Sequence, residues 1–344
     1  MSHLSDLNAE TPVSDPRLTR LARLIALAMT AILAVVLGTM LLLQEQHRDA
    51  VTARDREAQM RLTAGALSSA FDQAGKFALS LAEVSARRPD IAAALHAGEK
   101  GKLQALSQAS YDYLARQAGV QIYGYHSRDI RYLLRMHRPE TAGDDISGFR
   151  PMVVAANKLQ RPQSGLEIGI AGIGIRGITL VNHAEGGAPP AFAGTMEVGL
   201  DTRPILDLVK ASTNADIAIL IAPSMSGVAL DPKLPVFGDL ALAVSTDDAL
   251  LTTFLKAGLL KTTRGIEIRE AVVSGHNHVF ISQPLIDFSG KLVGTAVAIR
   301  EISLSDSRRI DTELLVAALV GLILAFVAFM VLTKVALAKL GKAA

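Results

Sequence analysis

Apolar positions along this chain fall into three regimes: uninterrupted, helical and alternating. Two stretches, Leu24 to Leu43 (LIALAMTAILAVVLGTMLLL) and Leu314 to Thr333 (LLVAALVGLILAFVAFMVLT), run 20 residues each without a charge. At about 1.5 Å of rise per residue such a run matches a hydrocarbon layer roughly 30 Å thick. In lipid a lone segment satisfies its own backbone only as a helix, so the pattern predicts membrane-spanning helices at 24–43 and 314–333. The first run is too long for the apolar part of a signal peptide, and no small-x-small cleavage site follows it. Arg17, Arg20 and Arg23 precede the first run, and Lys334, Lys339 and Lys342 follow the second. Flanking positive charge favours the cytoplasm. The expected topology therefore has cytoplasmic tails at 1–23 and 334–344, with residues 44–313 outside.

From Gln44 to about Ser85 there is no proline, and Met60, Ala64, Leu67, Phe71, Ala74, Ala78 and Leu81 recur in steps of four and three. This single apolar seam fits either a coiled coil or a helix laid along a domain. Pro89 breaks the helix, Asp90 is placed to cap a second one, and Lys102 to Gln117 reads as a third. Beyond residue 118 the period alternates. Strands are expected at 119–125, 130–136, 166–170, 175–182 and 192–199, then at 216–222, 266–273, 277–284 and 292–300, with helices near 204–211 and 247–259. The fold class is α+β, a long N-terminal helix followed by antiparallel sheet. Gly165-Leu166-Glu167-Ile168 returns as Gly265-Ile266-Glu267-Ile268, and Gly194-Thr195-Met196-Glu197-Val198 as Gly294-Thr295-Ala296-Val297-Ala298. Two echoes at one offset imply tandem copies of one subdomain.

Composition removes several classes of function. Lys and Arg number 35 against 33 Asp and Glu, a net charge of +2 with no basic stripe, so no nucleic-acid partner is expected. Cysteine is absent, which excludes disulfides, thiolate nucleophiles and cysteine-held metals. No nucleophile–base pair can be named, so no catalytic residue and no enzyme activity are expected. His126, His137, His183, Asp144 and Asp145 lack helical ligand spacing, and His276-Asn277-His278 lies at a hairpin turn; neither a metal nor a cofactor is expected. The glycine-rich run from Gly169 to Gly177 lacks the Gly-Lys-Ser/Thr of a phosphate loop and no long helix follows it. Its glycines fit a bulge or a close backbone approach within a sheet.

The densest polar group lies in the first subdomain. Arg131, Leu133, Arg135 and His137 alternate along one strand, Tyr123 and Tyr125 share a face of the strand before, and Arg150 and Arg176 follow. Guanidinium groups with imidazole and phenol hydroxyls on a concave sheet would suit a small carboxylate, whose oxygens match the paired donors of arginine. The plainer alternative is that these arginines pair with Asp144, Asp145, Glu167 and Glu197, or face water.

The segment Arg131-Tyr-Leu-Leu-Arg135-Met-His137-Arg-Pro139, with Gly143-Asp144-Asp145-Ile-Ser-Gly-Phe149-Arg150 after it, resembles the signature of double Cache sensor domains of the bacterial chemoreceptor and sensor-kinase type. Pro162-Gln163-Ser164-Gly165-Leu166-Glu167, Gly172-Ile-Gly174-Ile-Arg176-Gly177 and Gly194-Thr195-Met-Glu197-Val198-Gly199 continue the likeness. The resemblance implies a helical lead-in at 44–118 and two tandem PAS-like modules, a membrane-distal one at 119–203 and a membrane-proximal one at 204–305. It implies a ligand pocket in the distal module, with Arg131, Arg135, His137, Phe149, Arg150 and Arg176 at motif positions; Tyr123 and Tyr125 join them from strand geometry alone. The expected ligand is a small molecule, carboxylate or amino-acid-like, and a homodimer through the 44–85 helix would be typical. Family members continue past the second span into a HAMP linker and an output domain, whereas 11 residues follow Thr333 here. The expectation is thus a truncated receptor or a sensor that signals through a separate membrane or cytoplasmic partner. An accessory subunit of a membrane complex, using the fold without a ligand, is the alternative.

Overall fold

The computed structural model describes residues 16–169, 172–227, 229–302 and 305–343. They form two units: one is Arg56–Ile302, and the other comprises the chain up to Asp55 and from Ser303 onward. Residues 1–15 of the expected cytoplasmic tail lie outside the described residues.

The terminal unit holds the first part of α1 (Pro16–Ala86) and α8 (Ser305–Ala343). Within them Arg23–Gln44 and Val316–Val335 are long and apolar enough to cross a membrane. Met29, Leu33 and Val36 face Leu322, Phe326 and Phe329 across an apolar groove between the two helices.

The unit Arg56–Ile302 is built on two antiparallel sheets. The first contains β1 (Val120–Ser127), β2 (Tyr132–Arg135), β3 (Gln163–Gly169), β4 (Gly172–His183) and β5 (Ala191–Leu200), ordered β2-β1-β5-β4-β3. The second contains β6 (Asp216–Ile221), β7 (Val236–Phe237), β8 (Leu240–Ser245), β9 (Glu267–Val273), β10 (His276–Ile286) and β11 (Leu292–Glu301), ordered β7-β8-β6-β11-β10-β9. The helices are α2 (Pro89–His96), α3 (Lys100–Ala118), α4 (Pro151–Leu159), α5 (Thr202–Thr213), α6 (Pro223–Ser226) and α7 (Asp248–Lys256). Four of these elements, α4, α6, β7 and β8, are absent from the sequence expectation. Strands β7 and β8 are two and six residues long, α4 is a nine-residue helix with two adjacent valines, and α6 is a single turn. At two and four residues, β7 and α6 carry too few positions to show any period.

The apolar seam of α1 is spent inside the chain. Met60, Ala64 and Leu67 pack against the second sheet beside Ile217, Ile219 and Ile281. Ala78, Ala82 and Ala86 pack with α2 and the first sheet beside Val181, Met196 and Val198. The helix is laid along the domain, and its outer face carries spaced ion pairs such as Arg61–Glu57 and Lys76–Asp72. Alanine in the seam lets the helix approach closely, and glycine takes this further: a Cβ on Gly177 in β4 would stand 2.0 Å from the Leu79 nitrogen.

Four strands of the first sheet recur in the second in the same order. β1, β5, β4 and β3 correspond to β6, β11, β10 and β9 in the order of pairing. The echo at Gly194 and Gly294 now has a cause. A Cβ at Gly194 would lie 2.1 Å from the His126 carbonyl oxygen, and one at Gly294 2.0 Å from the Leu220 carbonyl oxygen. Each glycine admits the neighbouring strand at the same point of its module. One face of each sheet packs on the α1 side; the opposite faces pack on α4 and on α7.

Candidate functional site

The face of the first sheet beneath α4 is where the two modules part company. Cross-strand pairing sets Gly124 opposite Glu197 and His126 opposite Thr195, while Ile178 and Arg176 lie opposite Glu197 and Gly199 on the other flank of β5. Alternation then points His126, Glu197 and Arg176 to one side, and Glu167 joins them from the edge strand β3. Arg150, at the N-terminus of α4, lies over them. Matched through Thr195 and Thr295, the second module carries Leu220, Val297 and Phe280 in place of His126, Glu197 and Arg176, and all three are part of its apolar core. The fold is therefore built once with charge at these positions and once without.

Glu197 is the centre. Its Oε1 accepts from Arg150 and, at 2.7 Å, from Arg176 Nη1; its Oε2 accepts from the Tyr132 hydroxyl at 3.1 Å and lies 3.3 Å from His126 Nε2. Arg150 Nε donates to Glu167 Oε2 at 3.1 Å, and Arg176 Nε lies at the same distance from that oxygen. The other oxygen of Glu167 accepts the Met152 backbone N–H at 2.8 Å, tying the carboxylate to the first turn of α4. On its far side His126 hydrogen-bonds Thr195 Oγ1 through Nδ1 at 2.9 Å, and its ring meets the Tyr132 ring edge-on at 4.4 Å. Glu167, Glu197 and His126 have no solvent exposure, and Arg150 and Arg176 almost none. Two buried carboxylates thus balance two buried guanidiniums.

Burial disfavours charge on Glu197, but Arg150 and Arg176 outweigh it and hold the carboxyl well below its ordinary range. Burial lowers the proton affinity of His126 beneath the ordinary 6.5, opposed by Glu197, so the imidazole is neutral. Burial and the Glu197 charge both raise the Tyr132 hydroxyl. For His126 the sign follows directly: between its folded value and 6.5 the unfolded chain binds the proton and the folded chain does not. Stability is full above about pH 6.5 and declines as pH falls from there. Replacing His126→Gln is expected to flatten this slope in thermal melts between about pH 7 and 5; an unchanged slope would remove His126 as its source.

Of the eight candidate residues, Arg150 and Arg176 enter this cluster. Arg135 borders it, its guanidinium 3.7 Å above the Tyr132 ring and bonded to both Asp144 oxygens at 2.6 and 2.7 Å. His137 is half-buried with Nδ1 unpartnered, and burial lowers its proton affinity. Phe149 packs beside Tyr132, Ile146 and Met152, where Phe288 of the second module also arrives. Arg131 is exposed and donates to the Gly143 carbonyl at 2.7 Å. Tyr123 and Tyr125 project to the opposite face, into the core under α2 and α3, with hydroxyls bonded to Ser85 and Ser107 at 2.6 and 2.7 Å. The tyrosines and the arginines thus occupy opposite sides of the sheet. Tyr132, His126 and Thr195 belong to the cluster without a sequence signal stronger than strand parity; from the sequence, Glu167 and Glu197 are visible only as partners for the arginines.

A family model described as the double sensory domain of two-component sensor kinase (dCache_3) matches residues 55–304. No curated protein sequence matches. Solved structures that this chain matches include the periplasmic domain of Vibrio cholerae LuxQ, at 14% identity over 71% of this chain and 100% of that one, TM-score 0.42. They include the Campylobacter jejuni chemoreceptor Tlp3 ligand-binding domain in complex with 4-methylisoleucine, at 9% identity over 72% and 90%, TM-score 0.41. The Pseudomonas aeruginosa amino-acid chemoreceptor PctC, in complex with GABA, matches at 13% identity over 73% and 99%, TM-score 0.40.

Proposed function

The chain belongs to the double Cache family of sensory domains, and from that premise we propose that it is a two-span inner-membrane sensor. In this reading the module holding β1 to β5 is membrane-distal and binds a small carboxylate or amino-acid-like ligand in the periplasm. The second module and the second span relay the change to a separate partner. The observation that carries the proposal is the contrast between modules. A fold that tolerates Leu220, Val297 and Phe280 does not need His126, Glu197 and Arg176. Buried ion groups are often no more stabilising than apolar side chains of like volume, and strongly shifted groups cluster where function resides. A carboxylate ligand would take over guanidinium donors that Glu197 or Asp144 holds in the closed state, freeing α4 or the 138–150 loop. That gives the two states differential affinity, which a switch requires.

Thermal unfolding of the full chain in detergent, against carboxylates, amino acids and amines, tests this. The expected result is a stabilising hit that Arg135→Ala abolishes and Arg203→Ala, at an exposed Arg203–Asp207 pair, leaves intact. The second reading, an accessory subunit that uses the fold without ligand, is favoured by the balance of charges within the cluster. No shift with any compound, together with stable co-purification of another membrane protein, would select it.

A further inference from the structure

The second module has a concavity of its own, apart from the cluster just described. It has a volume of about 510 Å³ at the head of β11, with Met225, Pro284, Ile286 and Leu292 as apolar lining and Arg264 and Lys291 as its cations. This volume lies within the range of about 300–1,000 Å³ typical of small-molecule sites. No aspartate or glutamate lines it, and among the described residues neither cation has an anionic partner. The Lys291 ammonium lies beside Gly227, where an added Cβ would be 3.0 Å from its Nζ. Ile286, which lines the concavity together with both cations, is 45% exposed.

The geometry points to a second ligand site here, for a small amphipathic carboxylate: the head group between Arg264 and Lys291, the aliphatic tail on Ile286, Met225 and Leu292. Both halves of that ligand answer a feature the isolated chain leaves open. Two unneutralised cations attract an anion, and an exposed apolar floor gains about 25 cal/mol for each Å² covered. The site also has a route to the rest of the unit. The Lys291 backbone N–H donates to Asp287 Oδ1 at 3.0 Å, which fixes the β10–β11 turn. On that turn Phe288 donates its N–H to the Leu166 carbonyl of β3 at 2.9 Å and packs its ring beside Phe149 and Met152. A ligand resting on Lys291 and Leu292 therefore bears on the turn that joins the second module to the cover of the first.

The test uses the full chain in nanodiscs of zwitterionic lipid, so that no anionic headgroup competes, with hexanoate as the probe in calorimetric titration. Saturable binding of hexanoate is expected, with hexylamine silent and acetate weaker. The Arg264→Ala/Lys291→Ala variant, altered only at exposed positions, should bind at least about tenfold more weakly while melting like the parent. Arg135→Ala, in the first module, should bind hexanoate as the parent does. Absence of saturable binding, equal binding by hexylamine, or undiminished binding by the double variant would each overturn the proposal. Loss of binding in Arg135→Ala alone would place hexanoate in the first module and overturn it too, while leaving the proposed function standing.

Discussion

Glu197→Ala is expected to lower the stability of the sheet unit by about 3–5 kcal/mol, the usual consequence of leaving buried charges without their partner. The substitution strands Arg150 and Arg176, both nearly inaccessible to water, with Glu167 as the one remaining carboxylate between them. Tyr132 loses the acceptor for its hydroxyl and His126 the group beside its Nε2. For a cooperative unit of this size each kcal/mol moves the melting temperature by roughly 2–4 °C, so a fall of roughly 6–20 °C is expected in calorimetry. The same variant opens a space shaped for a carboxylate. Acetate or formate at millimolar concentration should therefore recover part of the loss, where chloride at equal ionic strength should not. Rescue by carboxylate alone would support the reading in which a ligand takes Glu197's place. A variant as stable as the parent would show that the charges are not coupled as the distances imply. If Glu197→Ala does not fold, Glu197→Gln supplies the comparison: it keeps the volume and one acceptor, and should show a smaller loss and little response to acetate.

Gly177→Ala is expected to be comparably damaging for a reason unrelated to charge. Its Cβ would lie 2.0 Å from the Leu79 nitrogen, 2.3 Å from the Leu79 Cα and 2.4 Å from the Ala78 carbonyl carbon. These are backbone atoms of α1 and cannot swing aside as a side chain can, so α1 must lift from β4. Lifting it unpacks Ala78 and Ala82, both fully buried. Overpacking of a well-packed core ordinarily costs about 1–3 kcal/mol and sometimes more; with a rigid helix as the obstacle the upper end or beyond is expected. Gly65→Ala on the same helix is the control. Nothing lies within 4 Å of its added Cβ, and alanine gains up to about 1 kcal/mol of helix propensity. Denaturant melts should show the two glycines moving stability in opposite directions; equal effects would refute the close approach of α1 to β4.

Much of this architecture is legible without coordinates because it follows from local periodicity. The two apolar runs announce spanning-length helices, and the change of period near residue 118 coincides with the C-terminal end of α3 at Ala118. The 100-residue echo marks the equivalent strands β5 and β11, since the same glycine is required wherever a strand passes its neighbour so closely. Strand parity on β4 and β5 was readable as well, but which strands are neighbours was not. For that reason the sequence alone does not separate Tyr123 and Tyr125 from the arginines on the other side of the sheet.

The sequence by itself determined the two helices of membrane-spanning length, the α+β class and the doubling of the module, because each rests on patterns within a few residues to a few turns of the chain. Only the tertiary structure decided two further matters. The seam of α1 turned inward because the two sheets offer it a complementary apolar surface, and periodicity cannot say whose surface a helix will meet. Likewise the arginines at 150 and 176 are charges whose meaning depends on distance. Glu197 is 47 residues from one and 21 from the other, and only the pairing of β1, β4 and β5, with the N-terminus of α4 laid over them, brings these residues and His126 together where they are buried from solvent.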